Sequence, residues 1–274
     1  MTARLRVSRS KAAGWSRWLG VFAVPVLVLT GLARRVDLID PLAAIGAIAV
    51  GSGLGLSALV LSIVAFAGIW RDGRRGLGDA VRGFIPGLIA VAPLAFATAM
   101  VVFHPQMADI STDVDEPPVY PVDLRGTHFA ANSMAPPPRA ERERQRTAYP
   151  DIVSRRFPLS PILMFETVRL TIREEGWPVI AERAPRPERM VGEFQVTART
   201  LLFSFPDDIV IRVLPDPYGA RVDIRSSSRY GRHDLGANAE RIRTIFAAID
   251  EMLVETFGQS APEELDTTAP GDDG

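Results

Sequence analysis

Three long apolar runs without a charged side chain lie within the first 104 residues of the chain, at residues 18–33, 41–70 and 84–103. As α-helices they would be about 24, 45 and 30 Å long, compared with about 30 Å for the hydrocarbon core of a bilayer. The alternative to membrane spans is a globular core built from these runs, which three long uncharged runs within about a hundred residues argue against. We therefore predict a membrane region over residues 1–104 with three transmembrane helices, the first of which is either a short span or the core of a signal sequence.

Basic residues near the ends of the runs predict the orientation. Five precede the first run and four lie between the second and third runs, namely Arg4, Arg6, Arg9, Lys11, Arg17, Arg71, Arg74, Arg75 and Arg82. The loop after the first run has only Arg34 and Arg35, accompanied by Asp37 and Asp40. Because basic loops stay in the cytoplasm, we expect a multi-pass protein of the inner (cell) membrane with a cytoplasmic N-terminus. The C-terminal domain would then be periplasmic (extracytoplasmic), whether or not the first run is cleaved.

Small residues spaced by four in the second run, Ala47, Gly51 and Gly55, would let another helix approach closely. Packing among the three helices of one chain is the main interpretation, and a contact between two copies is the alternative. The runs contain no charged residue, so no proton relay or ion path is predicted within them. This argues against a transporter.

Composition and motifs argue against several other functions. Cysteine is absent, which excludes disulfides and thiolate metal sites, and the net charge of −1 gives no reason to expect nucleic acid binding. His104, His128 and His233 are isolated, so neither a metal nor a cofactor is predicted. The serines at 226–228, with His233 and Asp234, are residue types of a hydrolytic triad but lack the strand–turn–helix context of a nucleophile elbow.

Two segments are predicted to lie outside compact structure. Residues 105–148 are rich in proline and charge, which predicts an extended linker, and residues 259–274 form an acidic tail predicted to be disordered. Within the linker, residues 109–116 carry carboxylates at alternate positions. They lack the glycine and distal glutamate of a helix-loop-helix calcium site, so a solvated turn is favoured over a calcium loop.

Residues 149–258 have the pattern of a compact α+β domain. One helix begins after Ser160 and ends at Gly176, and a second begins at about Leu235, capped by Asp234. Between them lie four segments with the alternation of strands, at residues 177–182, 190–199, 208–214 and 221–229. Short turns join these segments. We therefore predict a four-stranded antiparallel sheet with both helices on one face.

The sheet face opposite the helices is predicted to be polar, and it carries the candidate site. Alternation in the last strand aligns Arg221, Arg225 and Arg229, with Asp223 between the first two. One interpretation is a network of ion pairs across the strands. The other is a site for an anion, such as a lipid headgroup, a phosphate or a carboxylate. The candidate ligand-binding residues are Arg212, Arg221, Asp223, Arg225, Arg229, Asp234, Asn238 and Arg241.

Several motifs of this region resemble one protein family. They are YPDI at residues 149–152, GW at 176–177, DDIVIRV at 207–213, and G-x-RVDIRS-x-SR-x-G-x-x-DLGANA-x-RIR ending at Arg243. Over residues 109–257 the chain resembles the bacterial family catalogued as domain of unknown function 1499, in its longer form with N-terminal transmembrane helices. The resemblance implies an uncharacterised envelope-associated protein and supplies neither an activity nor catalytic residues.

Three functions remain open. The first is a non-enzymatic binding or interaction module, in contact with membrane lipid and taking an anionic ligand or an envelope protein. The second is an extracytoplasmic enzyme acting on an anionic lipid or envelope substrate, using the arginine face with Asp223 or Asp234. The third is a structural membrane anchor for a partner protein. A pocket with converging carboxylate and arginines would favour the enzyme, and a flat, ion-paired sheet face would favour the first function.

Overall fold

The structure, a computed structural model, describes residues 8–126 and 131–258. Arg4, Arg6, His128 and the predicted acidic tail lie outside the described residues. The elements in chain order are α1 (Lys11–Arg35), α2 (Pro41–Asp72), α3 (Leu77–Phe103), β1 (Asp109–Ser111), α4 (Arg139–Ala148), β2 (Arg155–Phe157), α5 (Pro161–Glu174), β3 (Val179–Arg183), β4 (Gly192–Arg199), β5 (Pro206–Asp216), β6 (Gly219–Ser228) and α6 (Ala237–Phe257).

The first three helices confirm the three apolar helices predicted from the sequence. Each is long and apolar enough to cross a membrane, by length and composition. Asp40 caps α2, because its Oδ1 accepts from the backbone N–H groups of Leu42 and Ala43 at 2.9 and 3.0 Å. Gly73, with a φ of 65°, ends the same helix in the left-handed conformation that glycine tolerates.

Glycines let these helices approach one another closely. A Cβ added at Gly83 of α3 would lie 2.4 Å from the backbone of Ser16 in α1. One added at Gly55 of α2 would lie 2.7 Å from the Cβ of Ala90 in α3, and Gly51 of α2 faces α1 in the same way. The small residues of the second run therefore serve packing within one chain.

The sheet is antiparallel and has six strands in the order β1–β6–β5–β4–β3, with β2 also pairing with β6. The predicted meander is confirmed for β3 to β6, whereas the prediction of four strands is wrong. The two additional strands, β1 and β2, lie end to end along β6, where Ile110 pairs with Ser226 and Arg156 with Arg221. Strands of three residues carry too little alternation to be recognised, and their pairing depends on an edge that appears much later in the chain.

Both α5 and α6 pack on one face of the sheet, as predicted. Phe165 of α5 stacks on Phe194 of β4, with 4.2 Å between the ring centroids. Ile242 and Ile249 of α6 are buried in the same apolar cluster. The hydrophobic core of the domain therefore lies between these two helices and one sheet face.

The opposite sheet face is covered by residues 109–126, here termed the covering segment. Gln195 of β4 exchanges two hydrogen bonds with the backbone of Val122, which donates to Oε1 at 2.8 Å and accepts from Nε2 at 2.9 Å. The hydroxyl of buried Tyr120 donates to the carbonyl oxygen of Asp208 at 2.9 Å. Residues 105–148, for which the sequence predicted an extended linker, therefore contribute β1, α4 and the cover of a sheet face.

Candidate functional site

Alternating side chains of β4, β5 and β6 form the polar face of the sheet, beneath the covering segment. They are Gln195, Thr197, Asp208, Arg212, Arg221, Asp223, Arg225 and Ser227, with Arg229 just after β6. Asp208, Asp223 and Arg225 are 0% exposed. Burial of a charge is costly unless the charge is paired and hydrogen-bonded. The partners of these three residues therefore decide whether the face is a binding site or a structural network.

The Arg225 guanidinium forms a two-pronged ion pair with Asp109 of β1. Its Nε donates to Oδ1 at 2.9 Å and its Nη2 to Oδ2 at 2.7 Å. Further donors reach the carbonyl oxygens of Pro118, Met134 and Ala135 at 2.9–3.1 Å. Burial opposes the charged form, but the hydrogen bonds and charge of Asp109 raise the pKa of Arg225 above its ordinary value. Arg225, at the centre of the predicted site, therefore donates hydrogen bonds to protein acceptors from all three of its guanidinium nitrogens.

Asp223 is held between two arginines of the polar face. Its Oδ2 accepts from Nε and Nη2 of Arg212 at 3.0 and 2.6 Å, and from Nη2 of Arg221 at 3.1 Å. Asp113 of the covering segment lies within 3.4 Å of the same two guanidinium groups. Two arginines and two carboxylates are thus balanced, so this end of the face carries no excess positive charge.

Asp208 is the centre of a third group. Its Oδ2 accepts from Nε of Arg125 at 2.8 Å, and its Oδ1 accepts from Nη2 of Arg229 at 2.5 Å. The Arg125 side chain is 3% exposed and also donates to the hydroxyl of Ser227 at 2.7 Å. Because Arg125 belongs to the covering segment, the pair fixes that segment to the sheet.

Two of the predicted site residues, Asn238 and Arg241, lie on the other side of the sheet. Nη2 of Arg241 donates to Oδ2 of Asp207 at 2.7 Å, and the Ser226 hydroxyl lies 2.7 Å from Oδ1 of Asn238. Burial raises the pKa of the Asp207 carboxyl, against the opposing effect of Arg241. Ser226 and Arg225 are consecutive in a strand, so their side chains point to opposite faces. The structure therefore does not bring these residues to the polar face.

The helix α6 begins at Ala237, two residues later than expected, and its N-cap is Gly236 and not the predicted Asp234, which binds the start of the helix from two residues before the cap. The two carboxylate oxygens of Asp234 accept from the backbone N–H groups of Gly236 and Asn238 at 3.0 and 2.9 Å. His233 accepts from the N–H of Leu235 through Nδ1, at 3.0 Å, and its Nε2 lies 3.1 Å from the carbonyl oxygen of His104. Both ring nitrogens face backbone atoms, so His233 is not placed to activate a serine hydroxyl.

Sequence reasoning missed the residues that complete the network. Asp109, Asp113, Tyr120 and Arg125 all come from the segment predicted as a linker. The alternating carboxylates of residues 109–116 were the available signal, since their spacing matches the alternating arginines of β6. Within residues 8–126 and 131–258, no group of three or more histidine or carboxylate side chains is placed to hold a metal.

A cleft of about 450 Å³ lies where the domain meets the end of α3, and we term it the junction cleft. Its walls are the stretch between α3 and β1, the prolines at 136–138, the first half of α4, and the end of β6. Arg144 and Arg232 line the cleft with exposed side chains, and the buried Arg125 also lines it. Arg144 is 3.8 Å from Glu141, and Arg232 makes no ion pair with any described residue. The cleft therefore presents exposed positive charge beside the carboxylates of Asp109 and Glu141, whereas the polar face presents none of its paired arginines in this way.

Comparison with known proteins identifies the family of the domain. Residues 109–249, just over half of the chain, match the model of the family described as protein of unknown function (DUF1499). No curated protein matches the chain. The crystal structure of protein MLL2253 from Mesorhizobium loti is similar with a TM-score of 0.28 and 14% identity, covering 38% of this chain and 96% of that one. The family match begins at Asp109 and so takes in the covering segment together with the strands that it covers. The chain therefore belongs to the DUF1499 family.

Proposed function

We propose that this chain is a multi-pass protein of the cell membrane whose α+β domain lies on the extracytoplasmic side. The start of α1 and the loop between α2 and α3 lie at the same end of the helices. Ser10 donates to the carbonyl oxygen of Arg75 at 2.9 Å, and Arg9 pairs with Asp79 at 2.6 Å. This end carries most of the basic residues of the region, including Lys11 and Arg74. A strongly basic end favours the cytoplasm, which supports an extracytoplasmic position for the opposite end and the domain.

We further propose that the domain is a non-enzymatic module that binds an anionic group, such as a phosphate, in the junction cleft. The observation that carries this proposal is the contrast between Arg225, saturated beneath the covering segment, and Arg144 and Arg232, which are exposed at a concave surface. Arginine guanidinium groups bind phosphate and carboxylate oxygens with paired hydrogen bonds. Ser133 also lines the cleft, as do Ser227 and Ser228, whose hydroxyls are engaged by Arg125 and Asn238.

The engagement of the carboxylates supports a binding role over catalysis. A general acid or base needs a carboxylate or imidazole free to exchange a proton with a bound molecule. Asp207, Asp208 and Asp223 are each held by arginine, and Asp234 is held by the backbone of α6. The arginine face thus resembles a network of ion pairs across the strands and does not resemble an active site.

Binding of a phosphate group is expected to depend on the two cleft arginines. In the full-length protein in detergent, the variant Arg144→Gln with Arg232→Gln should bind short-chain phosphatidylglycerol at least about tenfold more weakly. The reason is that hydrogen bonds to charged groups contribute about 1.5–3 kcal/mol and about 1.4 kcal/mol is a factor of ten. Titration calorimetry would measure the change, with inorganic phosphate in a second series to separate a lipid headgroup from free phosphate.

The matched control removes the same charge elsewhere. Arg173 and Arg186 are exposed and make no ion pair with described residues, so Arg173→Gln with Arg186→Gln should leave the affinity unchanged. Equal affinity of the cleft variant and the original chain for both probes would contradict an anion site in the cleft.

The proposed topology can be tested by cysteine labelling, because the chain has no cysteine of its own. Tyr218 is 82% exposed on the turn between β5 and β6. In intact cells, Tyr218→Cys should react with a small membrane-impermeant maleimide. Arg71→Cys, near the opposite end of the helices, should react only after lysis. The reverse pattern would place the domain in the cytoplasm.

A further inference from the structure

The loop between β4 and β5 presents an apolar tip formed by Leu201, Leu202 and Phe203. Leu201 is 88% exposed and Leu202 is 58% exposed, and both lie in a tight turn. Consecutive exposed apolar residues on a loop of a soluble surface mark a contact with another apolar body. The position of the tip relative to α1 identifies this apolar body.

The tip lies against α1, close to the end of that helix. A Cβ added at Gly31 would be 3.3 Å from the carbonyl oxygen of Leu202 and 4.0 Å from a ring carbon of Phe203. Gly31 precedes Arg35, the last residue of α1, by four positions, which is about 6 Å along a helix. The loop therefore reaches past the basic end of α1 and lies beside its apolar part.

Two arginine hydrogen bonds and one ion pair hold the loop in this position. Nη2 of Arg34, a 4% exposed residue, donates to the carbonyl oxygen of Ser204 at 3.2 Å, and Nη2 of Arg35 donates to that of Leu201 at 3.1 Å. Arg199, just before the loop, pairs with both carboxylate oxygens of Asp37 at 2.8 and 3.0 Å. One contact at the tip and one on each side of it thus fix its depth relative to α1.

Hydrogen bonds within the loop close its base. The N–H of Thr200 donates to the carbonyl oxygen of Phe205 at 2.9 Å, and the N–H of Ser204 donates to that of Thr200 at 3.0 Å. The Thr200 hydroxyl accepts from the N–H of Phe205 at 2.9 Å. Together with the two arginine contacts, four carbonyl oxygens of the loop have donors. Each of these hydrogen bonds lowers the free-energy cost of moving the loop into an apolar environment.

We infer that this tip is embedded in the extracytoplasmic leaflet of the bilayer, where Leu201 and Leu202 contact lipid acyl chains next to α1. The inference rests on the membrane placement proposed above and is independent of anion binding in the junction cleft. Arg34 and Arg35 would lie at headgroup level, where basic side chains are favoured. The domain would then contact the membrane at a second point, in addition to its covalent connection through α3.

Single-cysteine variants of the full chain, labelled with bimane and reconstituted in phosphatidylethanolamine–phosphatidylglycerol vesicles, test this inference. The label at Leu201→Cys should lose fluorescence when lipids with a nitroxide on the acyl chain are included. The loss should be comparable to that of a label at Leu29→Cys, because Leu29 is 63% exposed on α1. A label at Tyr218→Cys, at the far end of β5, should lose little. Leu201 is almost fully exposed, so its replacement should not disturb the fold.

The outcomes distinguish failure of the embedded tip from failure of the proposed membrane placement. Quenching at Leu29 without quenching at Leu201 would overturn the embedded tip and leave the membrane placement intact. No quenching at Leu29 would overturn the membrane placement and the embedded tip together. Equal quenching at Leu201 and Tyr218 would also overturn the embedded tip, because the loss of fluorescence would then come from the dye entering the bilayer and not from the position of the loop.

Discussion

Replacement of Arg225 by methionine is expected to lower the free energy of unfolding of the domain by about 3–5 kcal/mol, the range seen when one partner of a buried ion pair is removed. Methionine has a comparable length but supplies no donor. Asp109 would keep its charge with 16% of its side chain exposed. The carbonyl oxygens of Pro118, Met134 and Ala135 would also lose their donor. Loss of these contacts would therefore destabilise all the segments that cover the polar face.

Thermal unfolding of the full-length protein in detergent would measure this effect. Arg183→Met is the matched control, because Arg183 pairs with Glu193 but is 54% exposed, and exposed pairs contribute about 0–1 kcal/mol. Addition of Asp109→Asn to Arg225→Met should recover part of the stability by removing the unpaired charge. An unchanged melting temperature together with lost phosphate binding would instead make Arg225 a ligand-binding residue.

Replacement of Asp208 by asparagine is expected to cost a similar amount, about 3–5 kcal/mol. Asparagine preserves the shape of the side chain but removes the negative charge that Arg125 and Arg229 share. Arg125 is the more affected partner because its guanidinium is 3% exposed and water cannot replace the lost partner. We expect the covering segment to loosen before the rest of the sheet.

Hydrogen exchange distinguishes local loosening from general destabilisation. In Asp208→Asn, the N–H of Val122 should exchange much faster, because its partner Gln195 lies under the same segment. Amides of β5, such as that of Ile211, lie in the middle of the sheet between β4 and β6 and should keep more of their protection. The control Asp250→Asn removes a 53% exposed partner of Arg155 and should change neither. Uniform loss of protection throughout the sheet would contradict a separate role for the segment.

The periodic parts of the fold could be predicted from the sequence. Long uncharged runs, the Asp40 cap and the alternation of β4 to β6 are local patterns, and each gave the right element. The two short strands β1 and β2 were missed because they depend on the edge of β6 and not on their own residues. The sequence predicts the start of α6 two residues early, because the Asp234 carboxylate reaches the first turn from a position before the N-cap, Gly236.

The burial of the polar face could not be predicted from composition. Arginine and aspartate are mostly exposed in proteins unless they are paired, so a row such as Arg221, Asp223 and Arg225 predicts a surface. Its counter-charges come from residues 116 positions away in the case of Arg225 and Asp109. Strand parity separates Ser226 from Arg225, but the prediction that Asn238 joins the arginine row is not met, because Asn238 contacts Ser226 through a tertiary hydrogen bond.

The covering segment also imposes an order on folding during synthesis. Asp109 leaves the ribosome 116 residues before Arg225, which corresponds to roughly ten seconds at about 5–20 residues per second. Until β6 has formed, β1 has no strand edge to join and Asp109 has no arginine to pair with. Closure of this part of the polar face is therefore a late event, and the Asp109 carboxylate stays hydrated until Arg225 arrives.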